Sequence, residues 1–341
     1  MYRSVLKELV EEWNFVDDEA IKIDPITEGT TNKLYKCQVE ADNRRKKHSV
    51  LFRLHGSDSE VLIDRDAELH LLQHLSLVEG LAPRIWGRTL NGLVYDYIEG
   101  SVLTLETVRE GQVPAAVATH LATFHTFSPN LSGGGRKKNA YFERLYQWHR
   151  LLSDETKETG FSFSFLEEEI HWAHNLVEAL GLNQQELVLC HNDLQPRNIV
   201  LLPNNKDIRF IDMEYSSYGW PAYDLVNYFS EFCGILPWDE TLYPSLEERI
   251  SFISAYLAAL HRCPVDAVQA EVLQRLVEEV DALQCLPHLF WGVWALVQNK
   301  HSDIAFSFEE YAEIRLGMYQ KLKRNSCRSL DDSEKDKQHR R

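Results

Sequence analysis

A chain of 341 residues, 44% of them apolar, is long enough for one large domain or two lobes with a substantial core. Its net charge of −16 argues against nucleic acid or an anionic membrane face as partner, because both need a basic surface, whereas a small cation would be drawn to it. The six cysteines form no C-x-x-C pair, so neither a zinc site nor a redox couple is signalled, and reduced thiols are expected.

The chain opens on MYRSVLKELVEEW, which carries acids where a signal peptide needs an apolar core. No apolar run approaches the roughly 18 residues of a membrane span. The expectation is a cytoplasmic chain without stable membrane insertion. Val5, Leu6, Leu9, Val10 and Trp13 share one side of a helix, and an N-terminal helical segment is placed at 1–20.

From 21 to 100 the pattern changes to short strands: IKIDPIT, KLYKCQVEA, SVLFRLH, RIWGRTL and LVYDYIE, with a helix over 60–78 inserted among them. Asn91-Gly92 between the last two strands is a strong hairpin signal. This reads as a small antiparallel β lobe. Residues 101–324 read as a larger, mainly helical lobe, interrupted by the strand ELVLC and the hairpin IVLL/DIRFI around PNNK. The stretch 132–138, SGGGRKK, reads as a mobile loop, and 325–341, polar and aperiodic, as a disordered charged tail.

The chemistry concentrates in CHNDLQPRNIV and FIDMEYSSYG. Asp193 and Asn198 project from one tight loop, and Asp212 and Glu214 follow at the end of a strand, Asp212 being 14 residues past Asn198. Such hard oxygen donors suit Mg²⁺, which takes few protein ligands and keeps water or phosphate oxygens for the rest. Asn198 and Asp212 are the expected metal ligands, with Glu214 a third, directly or through water. That leaves Asp193 as a general base within reach of a substrate hydroxyl. The arrangement resembles the catalytic loop H-x-D-x-x-x-x-N of kinases with the Asp of their D-F-G segment. The small lobe is then expected to hold ATP. Thr30, Thr31 and Asn32, in a turn with one glycine, face the phosphates in this reading. Arg53, a cation on an otherwise apolar strand, needs a buried partner, and Glu68 on the following helix is the natural one. Backbone groups of Asp96 and Ile98 are expected to meet adenine.

CHNDLQPRNIV together with FIDMEYSSYGWPAYDLVNYFSEF resembles the choline/ethanolamine kinases, as do FWGVWALVQNKHSDIAFSFEEYAEIR at 290–315 and, in the small lobe, VLFRLHG and DRDAELHLLQ. The resemblance spans about 25 to 323 and implies an α+β, protein-kinase-like two-lobed fold. It implies Asp193 as base, Asn198, Asp212 and Glu214 near Mg²⁺, Gln195 near the phosphates, and an amino-alcohol pocket of Tyr215, Glu231, Trp291, Trp294 and Tyr311. An alkylammonium is attracted to the faces of Trp and Tyr by up to ~2 kcal/mol per desolvated contact, and Glu231 supplies a negative partner. Asp224 reads as a buried orienter of the catalytic loop and His191 as loop support. Met213 and Gly219 depart from the family's usual residues without being proposed ligands. The segment FCGILPWDETLYP after Glu231 resembles the ethanolamine branch, so phosphorylation of ethanolamine is expected, the alternative being choline or both. A non-catalytic kinase-like binding protein is the reading from a different class. The sequence leaves monomer and homodimer open.

Overall fold

The computed structural model describes residues 2–26, 32–41, 47–56, 62–129, 137–152, 161–302 and 304–339, with side chains as far as 326. Thr30, Thr31 and most of the 132–138 loop lie outside these residues.

Alternating apolar residues fold the small lobe as one antiparallel sheet. Its strands are β1 (Ile21–Ile26), β2 (Asn32–Val39), β3 (His48–His55), β4 (Ile85–Thr89) and β5 (Gly92–Asp96), in the spatial order β1-β2-β3-β5-β4. The β4–β5 hairpin forms where the sequence predicts one, but its turn lies one residue earlier than Asn91-Gly92: Thr89 pairs with Gly92, so Leu90 and Asn91 make the turn and Gly92 opens β5. Glycine is required at 92 by close approach: a Cβ would lie 2.2 Å from the backbone oxygen of Arg53. The close approach of β5 to β3 is thus built at the position of Arg53. Helix α1 (Tyr2–Leu9) does not stand apart. Leu6 of the helix, with Val10 and Trp13 just beyond it, is buried against Ile21, Cys37, Val50, Phe52 and Val94 of the sheet.

Helix α2 (Arg65–Leu75) is shorter than the predicted 60–78 because Asp64 caps it, its side chain accepting the N–H groups of Asp66 and Ala67. Leu71, Leu72 and Leu75 on α2 enter the same hydrophobic cluster as the large lobe, so the two lobes share a core. That core is formed by α3 (Val113–Thr126), α4 (Tyr141–Leu151), α5 (Phe163–Ala179), α6 (Pro221–Ser230), α7 (Leu246–His261), α8 (Ala270–Ala282), α9 (Leu286–His301) and α10 (Phe308–His339). The apolar stretch within Ala270–His301 is buried inside the protein, which accounts for its hydropathy. Short strands frame the segment 191–198: β6 (Ser101–Val102), β8 (Ile199–Leu201) and β9 (Ile208–Phe210) form one antiparallel sheet, and β7 (Val188–Cys190) pairs with β10 (Ser217–Gly219).

A further element differs from the sequence reading. The backbone of α10 is helical to His339, where 325–341 is expected as a tail without secondary structure. The Lys, Arg, Glu and Gln residues there are good helix formers, and a chain already helical can extend through them.

Candidate active site

Strand β7 delivers the chain into the loop at His191, and β8 takes it away at Ile199. The loop is fixed from beneath by Asp224 on α6. One oxygen of that carboxylate accepts the backbone N–H of His191 at 2.7 Å, and the other that of Asn192 at 2.8 Å. His125 Nε2 sits 3.0 Å from the same carboxylate. Burial alone would push Asp224 up, but the His125 hydrogen bond and the neighbouring histidines prevail and hold it below the ordinary range. Asn192 lies in the left-handed region at φ +64°, held there by its side-chain amide, which donates to Tyr215 O and Ser217 Oγ, both at 2.9 Å. His191 Nε2 donates to Ile211 O at 3.0 Å, and its Nδ1 accepts the Asp193 N–H at 3.3 Å. Burial holds this imidazole below its usual pKa. Both nitrogens are engaged and the ring is neutral, so His191 is a strut, as expected, and not a base.

Asp193 is buried at the top of this scaffold. Asn198 Nδ2 donates to its backbone oxygen at 2.8 Å and to Oδ2 at 3.0 Å, leaving the Asn198 amide oxygen free to turn toward a cation. Gln195 Nε2 lies 3.4 Å from Asp193 Oδ1, so Gln195 sits beside Asp193 itself. Burial, with Asp212, Glu231 and Glu214 nearby, pushes the Asp193 carboxyl well above the usual range. Such crowding of carboxylates is the mark of a site built to receive positive charge.

Asp212 follows β9 and is itself left-handed, at φ +63°, an unusual conformation for a non-glycine residue. A third of its side chain stays exposed toward the cleft. Burial and the charge of Glu214 push its carboxyl up to about 8. Asp212, Glu214 and Glu68 bring oxygens within 4.8 Å of one another. Glu68 is the exception among them, because its charge is already compensated: one oxygen takes Arg53 Nη2 and the other Arg65 Nη1 at 2.9 Å. These two arginines overcome burial and hold Glu68 below the ordinary range. The expected Arg53–Glu68 pair is therefore present, and Arg53 Nη1 reaches Asp212 Oδ1 at 3.4 Å. Asn198, Asp212 and Glu214 offer a hard-oxygen donor set that fits a divalent cation such as Mg²⁺. Asn32 Nδ2 sits 3.5 Å from Glu214 Oε2, so the one described residue of the 30–32 turn does face this site.

At the hinge the two predicted contacts differ. The Asp96 N–H is already given to Arg84 O at 2.9 Å, and its carboxylate accepts Trp86 Nε1 at 2.6 Å. Ile98 N–H has no protein acceptor among the described residues, which leaves it for a ligand.

On the far side of Asp193 the aromatic residues come together. The ring of Tyr215 lies 5.2 Å from Trp291, Trp291 lies 5.6 Å from Trp294, and Trp294 lies 6.4 Å from Tyr311, all near perpendicular. Trp294 Nε1 donates to Tyr215 Oη at 2.8 Å, and Trp291 Nε1 to Asn227 Oδ1 at 2.8 Å, which turns the indole faces and fixes them. Glu231 is buried beside them, but it is not an open charge: Arg315 Nη1 donates to its Oε1 at 3.0 Å. The sequence reading missed Arg315, and it missed Arg65, although Arg65 stands three residues before Glu68 on a helix, a spacing that brings side chains together.

A small antiparallel sheet over a helical lobe, a carboxylate on a rigid loop between them and acids that fit a metal define a phosphotransferase of the protein-kinase-like fold. This chain belongs to the choline/ethanolamine kinase family, whose sequence model matches residues 23–320. It is 33% identical to ethanolamine kinase 2 of Mus musculus over 94% of this chain and 80% of that one. It is 29% identical to a probable choline kinase 2 of Arabidopsis thaliana, over 93% and 90% of the two chains. Among solved structures, a Plasmodium vivax ethanolamine kinase superposes with a TM-score of 0.79 at 25% identity, covering 93% of this chain and 86% of that one.

Proposed function

We propose that this protein transfers the γ-phosphoryl group of ATP to the hydroxyl of ethanolamine. The observation that carries the reading is the placement of Asp193 between acids that fit a metal and a wall of four aromatic rings. A bound Mg²⁺ would supply positive charge that neutralises the phosphates as the group transfers. Asn198 and Asp212 would hold it, with Glu214 behind them.

Asp193 accepts the proton of the substrate hydroxyl as the new O–P bond forms and the bond to ADP breaks. Asn198 holds that carboxylate in place through Nδ2. Arg53, locked by Glu68, offers its guanidinium to the phosphates from the small lobe. Asn32 closes over the same region together with Thr30 and Thr31, and Gln195 contributes from the catalytic loop. Adenine meets the backbone of the hinge at Ile98 and the carbonyl side of Asp96. The substrate ammonium sits against Trp291, Trp294, Tyr215 and Tyr311, where cation–π attraction and exclusion of water orient its hydroxyl toward Asp193.

Choline is the second reading. An aromatic wall accepts a quaternary ammonium as readily, and Glu231, shared with Arg315, sets no demand for N–H donors. The five described cysteines, four buried and one half-buried, form no disulfide among the described residues, which fits a reducing compartment, and we assign the protein to the cytoplasm.

The test is incubation with ATP and Mg²⁺ and a panel of ethanolamine, choline and their methylated intermediates, with products identified by mass. Phosphoethanolamine as the fastest product supports the reading. Phosphocholine formed faster would move the assignment to choline, and no ester from any of them would favour a kinase-like binding protein.

A further inference from the structure

Five charged side chains alternate in sign across the two lobes. Asp212 is 3.4 Å from Arg53, Arg53 meets Glu68, Glu68 is 2.9 Å from Arg65, and Arg65 Nη1 is 2.8 Å from Glu214 Oε2. Arg53 and Glu68 supply the first half of this chain and have the counterpart in protein kinases described by their Lys–Glu pair. Arg65 extends it. It is the first residue of α2, its side chain is 4% exposed, and one nitrogen bridges a carboxylate of its own helix and one of the large lobe. Each of the two acids placed near the cation therefore has its own arginine from the small lobe.

The charges explain why. Two guanidinium groups stand against three carboxylates, so the set carries one net negative charge when all are ionised. Glu214 is buried and Arg65 is paired with it, so without Arg65 its carboxylate would lose this buried partner and its fixed place.

We infer that Arg65 is a positioning residue: by bridging Glu68 and Glu214 it fixes Glu214 for the metal and makes the placement of α2 a condition of metal binding. This rests on the reading of Asn198, Asp212 and Glu214 as the cation site. Arg65 touches neither substrate nor nucleotide in this role. A helix displaced from the cleft would carry Arg65 away, and the metal site would lose half its support.

The test uses the full-length chain and measures Mn²⁺ binding in the presence of ADP by electron paramagnetic resonance, a readout that needs no amino alcohol. Arg65→Gln should weaken Mn²⁺·ADP binding about 10-fold or more, the range typical of residues that orient a metal ligand. Arg65→Lys, which keeps the charge on a shorter stem, should recover part of the loss and serves if the glutamine variant does not fold. Glu214→Gln alone should weaken binding, and adding Arg65→Gln to it should cost little more. Arg88→Gln, which removes only a surface pair to Asp66 on the same helix, is the control and should leave binding unchanged. Wild-type affinity in both Arg65 variants, or losses that multiply with Glu214→Gln, would overturn the inference, since a purely structural arginine lowers Tm without that coupling. A wild-type chain that binds Mn²⁺·ADP but phosphorylates no amino alcohol defeats the ethanolamine reading and leaves this one standing. A wild-type chain that binds no Mn²⁺·ADP overturns both.

Discussion

Arg315 donates to Glu231 at 3.0 Å with both side chains buried, and the arginine also faces the rings of Trp238 and Tyr311. Burial pushes the glutamate up while the guanidinium pulls it back, and the pair presents little net charge to the pocket. Glu231→Gln would then do more than remove an anion. It would leave a buried cation beside the substrate ammonium, so KM for ethanolamine should rise by at least about 10-fold while KM for ATP stays put. The double variant Glu231→Gln/Arg315→Met removes both charges and should bind the amine better than the single one. Steady-state kinetics on the three proteins decides it, and a double variant worse than Glu231→Gln would mean that the arginine serves the substrate directly.

The raised pKa of Asp193 has two consequences of opposite sign. As a base it must be ionised, so kcat/KM should climb with pH along an acid limb whose midpoint lies above the ordinary aspartate range. For stability the folded state binds this proton more tightly than the unfolded chain does. The carboxyl is therefore harmless below its unfolded pKa and destabilises increasingly as pH rises toward the folded one. Asp193→Asn should abolish turnover, retain ATP binding, and raise Tm by about 2 °C or more at pH 8, with the gain shrinking toward pH 5. Calorimetric scans across that range check it; a variant less stable than wild type at pH 8 contradicts the assigned origin of the shift.

Asp212, pushed up to about 8 by burial and by Glu214, is largely protonated at neutral pH before a cation arrives. A metal must displace that proton. Binding of Mg²⁺·ADP at pH 7 should thus release about one proton, seen as a heat that differs between phosphate and Tris buffers, and the release should fade above pH 9. Equal heats in the two buffers at pH 7 would remove Asp212 from the ligand set.

Much of the candidate site was legible because it is local. Asp193 and Asn198 occupy one loop and Trp291 and Trp294 one helical face, so spacing alone brings each pair together, while the β4–β5 hairpin was legible to within one residue of its turn. The residues that sequence reasoning missed are held by long-range pairing. Arg315 is 84 positions from Glu231, and Arg65 is 149 from Glu214, and no periodicity links such positions. Arg65 also stands among Asp64, Asp66 and Glu68, where a charged run reads as a solvated helix face. Its burial follows only from the large lobe closing over it. The helical continuation of α10 was hidden for a different reason: helix propensity without an apolar stripe has the same composition as disorder.

Asp224 lends itself to a test of rigidity rather than of chemistry. Its two oxygens accept three donors, the N–H groups of His191 and Asn192 and the Nε2 of His125. An asparagine is nearly the same shape but offers one oxygen and one NH₂, so one side of the amide must turn a donor toward a donor. The buried loop would lose its charge-assisted bonds, at a cost of about 3–5 kcal/mol for breaking such a pair. The left-handed turn at Asn192, which aims Asp193, would loosen with it. Because a misplacement of ~1 Å can lower a rate on the order of 10²-fold, Asp224→Asn should lose kcat by that order while KM for ATP changes little. The lowered pKa of Asp224 adds a pH signature: its stabilisation is present above the unfolded carboxyl pKa and disappears as pH falls through the folded one. The stability gap between wild type and Asp224→Asn should therefore be widest near neutral pH and narrow below about pH 4. Chemical denaturation at pH 7 and pH 4 measures the gap directly, and a variant that keeps full kcat would show that the loop holds its shape without this anchor.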